Sequence, residues 1–110
     1  MGKSLFWKKK MVNNPNIVEF DNVPELALKY PNKICILSDE ELDKIEVNNF
    51  VKISPGNEMI WVKVATISGE VLTGRIIHNT FFPRVHKLYY ESIVTFTKKN
   101  VYAISLTFGD

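Results

Sequence analysis

The clearest alternation of apolar and polar positions lies in "NEMIWVKVATISGEVLTGRI", residues 57 to 76. It reads as two strands around a two-residue turn at Ser68-Gly69, where glycine readily takes a positive φ. That register pairs Ile67 with Glu70, Trp61 with Ile76 and Lys63 with Gly74. One face then carries Trp61, Ala65, Leu72 and Ile76, and the other Ile60, Val62, Val64 and Ile77. A ribbon apolar on both sides does not suit a sheet with one face in water. Either it is sandwiched between a barrel interior and a covering helix, or one face awaits a partner. Trp61 reads as core, since burying an indole is worth a few kcal/mol at ~25 cal/mol per Å2. Gly74 would leave it room.

The rest of the chain supplies shorter elements. "SLFWKKKMV" is a short strand or a basic amphipathic arm, and residues 1 to 16 are read as a basic arm or edge strand. "DNVPELALKYPNK" predicts a short helix, capped by Asp21 or Asn22, with Pro24 in its first turn and Pro31 ending it. "KICILS" is a compact apolar run that predicts a buried strand, with Cys35 as an inert buried thiol. In "LSDEELDKIEV", Ser38 and Glu41 have capping-box spacing, and Asp39, Glu40 and Glu41 crowd the positive end of the helix dipole. The acids therefore have a structural explanation that needs no catalytic carboxylate pair. From residue 48 the pattern is β: "NFVKIS", the hairpin, then "SIVTF" and "NVYAISLTF" as a second pair around "TKKN". The expectation is a single α+β domain over residues 1 to 110, mostly β. It would be a small, strongly bent antiparallel sheet or SH3-like barrel with one or two short N-terminal helices.

Charge modifies this picture only locally. The net charge is +2, but residues 1 to 12 carry +4, residues 17 to 49 carry −5 and residues 50 to 110 carry +3. One cysteine excludes an intramolecular disulfide and a cysteine-based zinc site. The N-terminus fits neither a secretory signal nor the myristoylation pattern, and no window approaches the ~20 apolar residues of a membrane span. A cytoplasmic protein with no membrane partner is expected.

Catalytic chemistry finds little footing. His78 and His86 are the only histidines, with no third ligand at metal spacing, and no phosphate-binding glycine loop or nucleophile elbow is present. No cofactor, metal or enzymatic activity is expected; catalysis through Cys35 or a histidine would need a reactive thiol. The informative stretch is "HNTFFPRVHKLYYES", residues 78 to 92, a long connection dense in aromatic and basic side chains. Phe82, Arg84, His86, Lys87, Tyr89 and Tyr90 are the candidate partner-binding residues, of the types that anchor protein interfaces. Phe81 and Phe82 could equally plug the end of a barrel.

The string "SDEELDKIEVNNFVKIS…NEMIWVKVATISGEVLTGRIIHN…YYESIVTFTKKNVYAI" resembles the uncharacterised bacterial family called domain of unknown function 2314, over residues 38 to 104. The matching positions are Val51 and Lys52; Glu58, Trp61, Val62 and Val64; Thr73, Gly74 and Arg75; and Val94 and Phe96. The family's two Gly-Asp turns are replaced by Asn48-Asn49 and Glu91-Ser92. The resemblance implies a small β-rich module, of a kind associated with toxin-neutralising or phage-related loci, and it supplies no catalytic residue. The expected function is a non-catalytic protein-binding module that neutralises or regulates its partner through residues 78 to 92 and the acidic helix at 39 to 46. The runner-up is single-stranded nucleic-acid binding, with Lys8, Lys9, Lys10, Arg84 and Lys87 on phosphates.

Overall fold

A computed structural model describes residues 18 to 107. The basic arm or edge strand expected over residues 1 to 16 lies outside them. Local chain chemistry sets the first elements. Asn22 accepts a hydrogen bond from the Glu25 N–H at 3.1 Å and starts helix α1, Val23–Lys29, with Pro24 in the first turn. Ser38 and Glu41 close the capping box, and helix α2 spans Asp39–Leu42. Beyond it the chain turns Ile45 into the core, so only half of the segment expected at 39 to 46 is helical.

The strands are β1 (Phe50–Ile53), β2 (Ile60–Ser68), β3 (Val71–Ile76), β4 (Ile93–Thr97) and β5 (Ala103–Ser105). They form one antiparallel sheet in the order β4-β3-β2-β1-β5. The fold is thus α+β and mostly β, and the sheet is not closed into a barrel. The expected pairing of β4 with β5 does not occur. The 3-10 turn Lys98–Asn100 carries the chain across to the far edge, where β5 joins β1 and places Val51 opposite Ile104. Asn100 donates to the Asp21 carbonyl at 3.0 Å, and the Tyr102 hydroxyl donates to Asp21 Oδ2 at 2.7 Å, fixing this crossing. The six residue steps from Thr97 to Ala103 include a tight 3-10 turn and reach about 16 Å. Four flat strand spacings are about 19 Å, so the sheet must bend.

The hairpin register differs from the straight count. The turn is Gly69-Glu70, with Gly69 at φ +61°, and Ser68 pairs with Val71. A β-bulge at Ala65 then shifts the ladder by one residue, so that Val64 meets Gly74 and Val62 meets Ile76. A one-residue shift exchanges the faces of a strand. Ile60, Val62, Val64, Leu72 and Ile76 therefore share one buried face with Val51 and Ile53. The ribbon is buried on one side only.

Trp61 consequently faces away from this core and is half-buried, with Lys52 Nζ 5.2 Å from its ring centre. Gly74 serves Val62 and not the indole, because a Cβ there would collide with Val62 Cγ1 and stand 2.6 Å from the Lys63 carbonyl oxygen. Leu42, Leu37 and Phe20 pack on the inner face, so the N-terminal segment covers that side. "KICILS" is not a strand: Leu37 reaches the core, while Ile36 and Cys35 are exposed. Asn48 and Glu91, where the resembled pattern places glycine, take φ +79° and +73°.

Candidate functional site

The connection from β3 to β4 begins and ends on the backbone. The Glu91 N–H donates to the Ile76 carbonyl at 2.8 Å, the Ile76 N–H donates to the Ser92 carbonyl at 3.0 Å, and the Tyr89 N–H reaches Ser92 Oγ at 2.9 Å. Within it Pro83 opens a single helical turn, α3, Pro83–His86, which Lys87 ends at φ +63°.

The N–H groups just before this turn have no side-chain cap of their own. Glu58, preceding β2, supplies one. Its Oε1 accepts from the Phe82 N–H at 2.8 Å, and both carboxylate oxygens accept from the Phe81 N–H at 3.0 Å. The same Oε1 lies 2.8 Å from His86 Nε2. His86 Nδ1 accepts the Leu88 N–H at 3.0 Å, so the ring proton sits on Nε2 and is donated to Glu58. The Glu58 and His86 side chains are only 5% and 3% exposed. Burial alone would raise the Glu58 carboxyl. The Phe81 N–H, the His86 imidazole and the Phe82 N–H outweigh it and hold the group below its ordinary value.

This arrangement is a latch. It fixes α3 to the start of β2 and drives Leu88 into the core. Both nitrogens of His86 are engaged within the protein. His78 is occupied as well: its Nε2 accepts the Trp61 N–H at 3.0 Å and its Nδ1 stands 3.0 Å from the Asn79 carbonyl. Among the described residues, no group of three or more His, Cys, Asp or Glu could hold a metal ion.

The expected partner-binding residues separate into two sets. Phe82, Arg84, Lys87, Tyr89 and Tyr90 are exposed together on the latched connection. His86 is not a surface group: it is buried, because its ring satisfies Glu58 and the Leu88 amide. Phe81 is 82% exposed and Phe82 48%, so neither plugs the core; Leu88 takes that place. Val85 and Met59 add exposed apolar surface that the sequence reading did not single out. Glu58 was legible only as a position of the resembled pattern, and nothing in its spacing from His86 announces a contact across 28 residues. On α2, Asp39, Glu40 and Glu41 face solvent, and Asp43 is 3.0 Å from Lys98.

Among the described residues, no helix is long and apolar enough to cross a membrane. No protein-family model, curated protein or solved structure matches the chain.

Proposed function

We propose that the protein is a non-catalytic binding module that engages another protein through the connection between β3 and β4, and so regulates or neutralises it. The observation that carries this reading is the latch. Glu58 and His86 hold one turn of helix rigid while Phe81, Phe82, Val85, Tyr89 and Tyr90 remain exposed around it. Exposed aromatic side chains on a fixed backbone lose little entropy on binding, which is how interface anchors work. Arg84 and Lys87 are the basic residues of this surface, and Glu91 at its end lies 3.8 Å from Arg75, so the complementary partner offers an apolar pocket with an acidic rim. The strand order, with a 3-10 turn between the last two strands, supports assigning the fold to the SH3-like barrels, small modules suited to this use.

The test is affinity capture from the native cell with the wild-type chain and with Phe82→Ala/Arg84→Ala/Tyr89→Ala, followed by mass spectrometry. The reading expects a protein retained by the first and lost with the second. Substitution of such exposed groups changes stability by only about 0.5 kcal/mol each. Identical captures from both, or a variant that unfolds, overturns the reading.

A further inference from the structure

We propose that the outer face of the sheet, opposite the core, binds single-stranded nucleic acid. This inference rests on a different surface from the latched connection and is independent of it. The five strands contain no aspartate or glutamate, while Lys52, Lys63 and Arg75 all point to the outer face. The register sets Phe50, Lys63, Arg75 and Ile93 side by side in one row across four strands. The adjoining row holds Lys52 beside Trp61. On the other flank, Thr66, Thr73 and Thr95 form a row of hydroxyls, with Thr66 Oγ1 2.6 Å from Thr73 Oγ1.

Lys63 directly opposite Arg75 is an unfavourable pairing, since like charges facing each other across a ladder destabilise it. Glu91 relieves it little, standing 3.8 Å from Arg75 with both side chains about half exposed. Lys63 has no carboxylate partner among the described residues. A cleft of about 280 Å3 opens between these two cations and Ile93, beside the bulge at Ala65. A phosphate seated there would neutralise both charges.

The aromatics decide which polyanion fits. Trp61 stands among the cations, and an aromatic ring so placed lets a base stack while phosphates meet lysine and arginine. Lys52 now lies against the Trp61 ring, a contact worth ~0.5–1 kcal/mol at an exposed site. A stacked base is worth ~1–3 kcal/mol, so it can displace the ammonium toward a phosphate.

The test uses labelled oligothymidylate and oligouridylate of about a dozen nucleotides, read by fluorescence anisotropy across a salt series. With three cations on phosphates, the logarithm of affinity should fall with the logarithm of salt with a slope of about −2. Lys63→Gln/Arg75→Gln should lower affinity at least tenfold and flatten the slope, and Trp61→Phe should weaken binding without changing the slope. A thermal midpoint of the first variant at or above that of the wild type certifies its fold, since the like-charge pair is removed. No binding at low salt, affinity unchanged by the double variant, or equal affinity for heparin, which has no bases, each overturns the proposal.

Discussion

Replacing Glu58 by alanine removes the one acceptor shared by two backbone amides and the His86 ring. Hydrogen bonds to an ionised acceptor are worth ~1.5–3 kcal/mol each, but they do not add when the donors can find other partners. Phe81 and Phe82 are exposed, so water can reach their amides once the carboxylate is gone. His86 has no such relief, because its side chain is 3% exposed and its other nitrogen is already bound to Leu88. The loss should therefore be about 2–4 kcal/mol, the sum of a hydrogen bond to a charged acceptor and part of the cost of leaving the buried imidazole N–H unpaired. Against a total of ~5–15 kcal/mol for a domain, this is a large fraction. Urea titration should show the midpoint falling with an unchanged slope, and amide exchange should speed most at Leu88. Glu58→Gln keeps Oε1 for Phe82 and His86 but turns an amide donor toward Phe81, so it should cost about half as much. A loss in Glu58→Ala below about 0.5 kcal/mol, the range of ordinary surface changes, would refute the latch.

Four further outcomes are expected. Because the folded Glu58 carboxyl is held low, its contribution is complete above the ordinary value of 4.5 and is lost as pH falls through the depressed one; urea midpoints should drop across that acid range in the wild type and less in Glu58→Gln. Gly74→Ala should destabilise by about 1–3 kcal/mol, and Val62→Ala should rescue it only in part because the Lys63 carbonyl remains in the way, as a double-mutant cycle by denaturation would measure. Lys87→Gly relieves a left-handed φ of +63° and should raise the thermal midpoint by a few degrees, worth about 0.5–1 kcal/mol. Cys35 is exposed, so a thiol reagent such as Ellman's should label the folded protein fully; a labelling rate limited by unfolding would contradict its placement.

The helix starts could be read from the chain because caps are local chemistry: Asn22 and Ser38 act within three residues of themselves. The strands were legible for the same reason, their alternation surviving any error of register. Which face was which was not legible. An extra residue at Ala65 leaves no mark on hydrophobicity, yet it reverses the phase between turn and strand and moves Trp61 from core to outer face. "KICILS" misled because an unbroken apolar run has no period, and whether it pairs with a strand depends on distant backbone. The site was half legible. The exposed aromatics and Arg84 announced themselves by type, whereas the burial of His86 depends on a carboxylate brought from before β2 by the fold itself.

The bulge at Ala65 also defines where the chain tolerates a change in length. Below it Val64 faces Gly74, and above it Thr66 faces Thr73, so excising this single residue would join two ladders already in step. Every neighbour would keep its side of the ribbon, and only the local coiling that bulges impose would relax. A deletion anywhere else in β2 would invert half the strand. Relatives one residue shorter at this point could therefore preserve the same interior.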